Sequence, residues 1–263
     1  MPRNLKLTLA YDGSDFHGWQ VQPDRATVQG TLAGCLKRIT GEDVLPQGSG
    51  RTDAGVHALA QVASVQLDSP IPERNLVIAL NDVLPPSIRI SNVEVVPDDF
   101  HARHSAKAKT YRYRIYRGDI CPPFRARYVY HDPYPMNEEA VMRASEHIVG
   151  THDFTSFAAS DPERSARMAE AAQAIDENRF GKVDNVRTIH SSLWMRTDEE
   201  LVYTVRGDGF LHHMVRNLVG TFLLVGKGSL KIADVPVILE ARNRSAAGPT
   251  AAACGLYLVN VEY

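Results

Sequence analysis

The chain opens on strict alternation. Leu5, Leu7 and Leu9 stand between Lys6, Thr8 and Ala10, the period of a half-buried strand that ends at Tyr11-Asp12-Gly13. The period then changes. Val28, Leu32, Cys35, Leu36 and Ile39 share one face at helical spacing, with Thr27 placed to cap that helix and Gly41 to end it. Gln61 to Leu67 alternates again, with Ala63, Val65 and Leu67 inward and Ser64 and Gln66 outward. Pro72 can begin a second helix, with Leu76, Ala79, Leu80 and Val83 on one stripe, and Ile88 to Val96 reads as a further strand.

The later part repeats the theme. Lys109 to Tyr116 is a strand with Tyr111, Tyr113 and Ile115 on one face and Arg112, Arg114 and Tyr116 on the other. Asn137 can cap a helix ending near Gly150, with Ala140, Val141, Ala144 and Ile148 on its apolar side. Arg187 to Met195 and Leu201 to Arg206 read as paired strands, Leu211 to Gly226 as a strongly apolar helix, and Leu256 to Tyr263 as a closing strand. The expected fold is therefore α+β: two split β-α-β (ferredoxin- or RRM-like) halves, 1–104 and 105–263, with mainly antiparallel sheets joined around a central catalytic cleft. Asp161 to Val186 is polar and Ala-rich, and reads as an excursion with a short helix.

Composition narrows the class. With 44% hydrophobic residues in 263, a sizeable core can form, and ten tyrosines argue against disorder. Cys35, Cys121 and Cys254 make no CxxC pair and no Cys/His metal pattern, and Cys35 is expected in the core. No signal peptide opens the sequence and no apolar run is long enough to span a membrane, so a reducing cytoplasm is the expected setting. Formal net charge is only −2, but between His101 and Tyr130 eight Lys and Arg residues face a single acid, Asp119. Such a stretch favours a polyanion, the plainer alternative being a solvated strand face.

The chemistry concentrates in Gly48-Ser49-Gly50-Arg51-Thr52-Asp53-Ala54-Gly55-Val56-His57-Ala58. Three glycines in eight residues mark backbone that turns sharply or approaches another group closely. The run lies between strand-like segments, which places Asp53 on a connection held by a rigid scaffold. A Walker lysine and a full GxGxxG are absent, so this is not a nucleotide-cofactor loop. Ser49 lacks the Gly-x-Ser-x-Gly elbow, which argues against a hydrolase triad with His57.

The run GSGRTDAGVHA resembles the tRNA pseudouridine synthase A (TruA) family. So do Tyr11-Asp12-Gly13 with Phe16-His17-Gly18-Trp19-Gln20, Phe100-His101-Ala102-Arg103, and Lys109-Thr110-Tyr111-Arg112-Tyr113. Gly209-Phe210-Leu211, Met214-Val215-Arg216-Asn217 and Gly255-Leu256-Tyr257-Leu258 complete the series in order. The resemblance implies a homodimeric isomerase, without cofactor or metal, that converts uridine to pseudouridine at positions 38, 39 and 40 of the tRNA anticodon stem-loop. It implies Asp53 as the catalytic carboxylate, Tyr111 packed against the target base and Arg216 paired with Asp53. It also implies Leu256 in the pocket wall and Arg51 assisting base extrusion. The His212-His213 pair and the 161–186 excursion depart from the family pattern.

These residue types suit the reaction. Uracil leaves the ribose through N1 and rejoins through C5, with nothing oxidised, reduced or added. An ionised carboxylate can attack as a nucleophile, stabilise positive charge on the sugar, or take a proton. A neighbouring guanidinium favours that charged form. The base must leave its stack, and a tyrosine offers a flat face to receive it. Arg112, Arg114, Arg117 and Arg125 are the candidates for the phosphate backbone. Two alternatives stand beside this reading: a non-catalytic RNA-binding protein, and a pseudouridine synthase for another RNA.

Overall fold

The computed structural model describes residues 2–159 and 185–263, and the contacts gather them into two units. The first comprises Met1–Pro133, Arg196–Thr204 and Ala252–Tyr263, the second Tyr134–Met195 and Val205–Ala251. All but the last two residues of the 161–186 excursion lie outside the described residues.

In the first unit, β1 (Arg3–Tyr11) pairs antiparallel with β3 (His57–Leu67) on one side and with β4 (Ile88–Val95) on the other. Leu5, Leu7 and Leu9 are fully buried, as their alternation requires. β10 (Leu256–Glu262) runs parallel to β3 and antiparallel to β5 (Ala108–Tyr116). The order is β4-β1-β3-β10-β5, followed by the opening residues of β9 (Glu200–Gly207). The short β2 (Gln47–Gly48) pairs with β3, and β6 (Tyr130–His131) with β5. The class is thus α+β with a mixed, mostly antiparallel sheet.

Helix α1 (Val28–Thr40) starts where Thr27 accepts a hydrogen bond from the Gly30 amide. It stops at Gly41, whose φ of 78° is the left-handed cap. Helix α2 (Glu73–Val83) buries Leu76 and Leu80, and a single turn, α3 (Pro123–Ala126), follows β5. Cys35 departs from expectation: it is half-buried, its Sγ 3.8 Å from the Val83 carbonyl. Its position on α1 lies at the border of the apolar stripe that Leu32 and Leu36 centre.

In the second unit, β7 (Gly150–Asp153) pairs antiparallel with β8 (Val186–Arg196), which lies beside β9. Helix α4 (Glu138–Glu146) is capped by Asn137, as expected, but ends before Gly150, which opens β7. Helix α5 (Met214–Gly226) is buried nearly all round and packs against α4; α6 (Asp234–Ala241) follows it. Its start falls at Met214 rather than Leu211, because His213 takes φ 59° and cannot continue a right-handed turn. Asn217 is fully buried within α5 and satisfied: Nδ2 donates to the Phe157 carbonyl, and Oδ1 accepts from Arg244 and Thr250. The sequence division after residue 104 differs from the contact division because β5 pairs with β10, and β10 with β3, which draws residues 105–133 into the first unit.

Candidate active site

Asp53 sits half-buried on the loop between β2 and β3. The loop backbone is fixed from several sides. The Ser49 amide donates to the Val62 carbonyl at 2.7 Å, and the Trp19 amide to the Thr52 carbonyl at 3.0 Å. The Gly55 amide reaches the Phe16 carbonyl at 3.3 Å, and the Val56 amide closes a turn onto the Asp53 carbonyl at 3.1 Å. The segment from Gly13 to Trp19 therefore lies directly on the Asp53 loop, and two glycines permit this. A Cβ at Gly13 would stand 1.9 Å from the Val56 carbonyl oxygen. One at Gly18, where φ is +85°, would stand 2.5 Å from that of Thr52.

Two buried phenols face the carboxylate. Burial pushes the hydroxyls of Tyr11 and Tyr111 well above the usual tyrosine range, and the negative charge of Asp53 adds to both shifts. In Tyr11 the hydrogen bonds with Thr52 and Gln61 oppose the rise without overcoming it. Both are therefore neutral donors near neutral pH. The Tyr111 hydroxyl lies over Gly50, where an added Cβ would come to 3.8 Å from it. From the same strand, Lys109 Nζ donates to the Ser49 carbonyl at 2.6 Å. Leu256 stands opposite Tyr113 in the β10–β5 register, and Leu258 opposite Tyr111. Leu256 therefore shares a sheet face with Tyr111 and is itself buried. Arg51 is exposed on the loop.

Arg216 belongs to the second unit, in the first turn of α5. Its Nε donates to the Ala251 carbonyl at 2.7 Å, while the Ala251 amide donates back to the Arg216 carbonyl at 3.1 Å. That reciprocal pair fixes both the helix start and the guanidinium stem. Asp53, Tyr111 and Leu256 are thus gathered in one unit, with Arg216 held in the other.

The triad alternative has no geometry behind it. The Ser49 hydroxyl donates to Gln61 Oε1 at 2.6 Å and is fully buried. His57 Nδ1 faces the Gly13 amide at 3.1 Å and Nε2 the Arg127 carbonyl at 3.1 Å, which makes one nitrogen an acceptor and the other a donor. The ring stacks on Tyr257 at 4.8 Å, and burial lowers its pKa although Asp12 pulls the other way. It is a packing histidine in its neutral form.

The basic stretch is largely answered from within the first unit. Arg114 makes a two-pronged bond to Glu200 at 2.7 and 2.8 Å and lies over the Tyr257 ring. The Arg117 guanidinium is turned inward onto Asp132, whose carbonyl it also contacts; their side chains are 8% and 1% exposed. Arg117 is therefore not placed to meet a phosphate. Arg125 pairs with Glu199 at 2.7 Å at the surface, and Arg112, opposite Tyr257 in register, is half-exposed. Strand alternation told which face each arginine takes but could not name the acids, since Glu199 and Glu200 stand more than seventy residues further along. Sequence reasoning also missed Tyr11, Thr52, Gln61 and Lys109 around the loop. One signal was there: Tyr11 continues the buried row of Leu5, Leu7 and Leu9, and a phenol in such a row needs a partner.

A carboxylate on a pinned glycine-rich loop, faced by two neutral phenols beside an apolar strand, defines a site for acid–base or nucleophilic work on an uncharged ring. Comparison with known proteins agrees with the class. The family model described as tRNA pseudouridine synthase matches residues 8–105 and 144–263. Among its relatives, tRNA pseudouridine synthase A of Solibacter usitatus (strain Ellin6076) is 51% identical over 99% of this chain and 100% of that protein. That of Caldicellulosiruptor saccharolyticus is 41% identical over the same shares. A solved Cbf5-Nop10-Gar1 complex covers 96% of this chain and 57% of its own, but at 10% identity and a TM-score of 0.31 it carries no weight here. The chain belongs to the tRNA pseudouridine synthase family. It is an isomerase, with tRNA pseudouridine synthase A activity.

Proposed function

We propose that the enzyme isomerises uridine at positions 38, 39 and 40 of the anticodon stem-loop of tRNA, with Asp53 as its catalytic carboxylate. The observation that carries this reading is the partly accessible Asp53 carboxylate facing the buried, neutral hydroxyls of Tyr11 and Tyr111. A target uridine swung from its stack stacks on Tyr111, with Leu256 closing the apolar wall and Arg51, exposed on the loop, assisting extrusion. The unstacking costs a few kcal/mol, which contacts to the neighbouring backbone offset. Arg216 supplies the guanidinium partner of Asp53 on the family resemblance; the Nε bond to Ala251 supports a fixed orientation for it. The chemistry asks for no redox cofactor, because no electrons are exchanged, and the family resemblance implies none and no metal.

The two-halves architecture belongs to the same reading. Strand orders β4-β1-β3-β2 and β10-β5-β9-β8 each put the fourth strand first, then the first, the third and the second, which supports a repeated split β-α-β plan. The catalytic cleft then opens on the sheet face that carries Tyr111 and Leu256. Among the described residues no helix is long and apolar enough to cross a membrane. A cytoplasmic homodimer is the form proposed, and sedimentation of the purified chain tests the dimer.

The test of function is direct. Pseudouridine is mapped by chemical sequencing in tRNA from cells lacking the protein, then after return of the wild type or of Asp53→Ala. The expected result is loss of modification at 38–40, restored only by the wild type, with tRNA binding kept in the variant. Binding kept alongside unchanged modification would favour the non-catalytic RNA-binding alternative. Loss at some other RNA position would favour the alternative synthase.

A further inference from the structure

We propose that Tyr11 is a positioning residue for Asp53, acting through Thr52 in a hydrogen-bond chain that Gln61 closes; this rests on the catalytic reading of Asp53 given above. The chain can be oriented atom by atom. Gln61 is fully buried. Its Oε1 accepts from the Ser49 hydroxyl at 2.6 Å and from the Val62 amide at 3.1 Å, so the other end of the amide must be the donor. That Nε2 donates to the Gly50 carbonyl at 2.9 Å and, more weakly, to the Tyr11 oxygen at 3.5 Å. With a donor approaching its oxygen, the Tyr11 proton turns to Thr52 Oγ1, 2.8 Å away.

Gln61 therefore holds residues 49 and 50, and Tyr11 holds residue 52. The carbonyl of residue 52 is tied separately, by the Trp19 amide. Side chain and backbone of the residue before Asp53 are both pinned, in a loop whose glycines would otherwise leave it many conformations. A phenylalanine would fill the space of Tyr11 equally well. The hydroxyl adds only the bond to Thr52 and the weak one from Gln61, at the cost of dehydrating a polar group. Tyr11 also stays protonated where it is needed as a donor, since burial and the nearby Asp53 charge both resist its ionisation.

A purely structural pair predicts something different from a positioning pair. Replacing both partners of a buried hydrogen bond by apolar groups of like shape is close to neutral for stability. The Tyr11→Phe/Thr52→Val double variant of the full chain should accordingly melt near the wild-type temperature. If the pair positions Asp53, it should still be slow. Single-turnover pseudouridine formation on a transcribed tRNA would be measured for Tyr11→Phe, Thr52→Val, the double variant, Thr52→Ser and Asp53→Ala. Tyr263→Phe, which removes a half-buried phenol bonded at 2.8 Å to the Ala102 carbonyl, serves as the control. We expect the rate of Tyr11→Phe and of Thr52→Val to fall roughly 10- to 100-fold, with half-saturating tRNA unchanged. The double variant should be no slower than either single one, as members of one chain behave. Thr52→Ser, which keeps the hydroxyl, should run near the wild-type rate, and so should Tyr263→Phe.

A wild-type rate in the double variant, beside an inactive Asp53→Ala, overturns the proposal and leaves the reading of Asp53 standing. A loss in Tyr263→Phe equal to that in Tyr11→Phe also overturns it, because general loosening would then account for both. Full activity in Asp53→Ala would instead remove the catalytic reading, and this proposal with it.

Discussion

Two polar regions of the first unit solve the same problem in opposite ways. Among the described residues, the backbone of the loop from Gly48 to Val56 is held by backbone amides, the Gln61 amide and the ammonium of Lys109, with the Tyr11 hydroxyl on the side chain of Thr52. The stretch from Arg112 to Arg127 is held by ion pairs, Arg114 with Glu200, Arg117 with Asp132, Arg125 with Glu199 and Arg127 with Asp15. The loop carries few charges and keeps its carboxylate partly accessible, whereas the stretch carries many and has most of them answered inside the fold. A count of charge along the sequence therefore does not tell which of these arginines stay open to a polyanion. The count of glycines marked the first as closely packed backbone, which its hydrogen bonds show.

The largest expected effect tests the loop. Asp53→Ala should slow pseudouridine formation by roughly 1,000-fold or more, with tRNA affinity within a few fold, since removal of a reacting group acts on the transition state and not on docking. Filter binding and single-turnover assays on the same preparation separate the two quantities. Comparable losses in affinity and rate would mean that the substitution disturbs docking of the tRNA and not a reacting group alone, and the contrast would vanish.

Next comes Arg117. Its guanidinium lies 3.7 Å from a carboxylate that is 1% exposed, so removing it leaves a buried charge, at a cost of up to about 3–5 kcal/mol. Arg117→Ala should therefore lower the urea midpoint strongly while leaving the salt dependence of tRNA binding unchanged. A stable variant with a flattened salt slope would return Arg117 to the RNA track and blur the comparison. Gly18→Ala is a smaller break on the loop side. A left-handed φ and a Cβ 2.5 Å from the Thr52 carbonyl should together cost about 1–3 kcal/mol, read by thermal melting. Its rate should fall further than its stability suggests, because the strain enters through residue 52.

The difference between the regions also explains what was legible beforehand. Periodicity found β1 and β5 because one face of each is buried, whereas β3 also buries Val62 and Ser64 on the face read as outward; side-chain caps at Thr27 and Asn137 announced two helices correctly. The tightly held loop around Asp53 was legible because a glycine-rich run marks backbone that turns sharply or approaches another group closely. The short strands β2, β6 and β7 have too few residues to show a period, and α6 lies on a segment whose apolar positions were not read as a helix. The acids that answer the arginines were illegible for a different reason. Ion pairing joins side chains distant in sequence and leaves no local pattern. The Tyr11–Thr52–Gln61 chain was hidden likewise, its members lying on a strand end, a loop and a second strand.

The smallest effect is the most discriminating within the basic stretch itself. Arg125 and Glu199 are 45% and 51% exposed, so their 2.7 Å pair should contribute no more than about 1 kcal/mol and weaken further with salt. An exposed pair of that kind can be exchanged for a phosphate at little cost, whereas the inward-turned Arg117 cannot. Arg125→Ala should thus leave the melting temperature nearly unchanged and reduce the slope of log affinity against log salt by about one, the value for one lost phosphate contact. Arg112→Ala, half-exposed on β5, should do the same, and the double variant should reduce the slope by about two if both side chains lie along the RNA. If the slope holds in both, neither arginine meets the backbone. The polyanion contacts must then be sought at other basic residues, the exposed Arg103 and Lys107 of the same run among them.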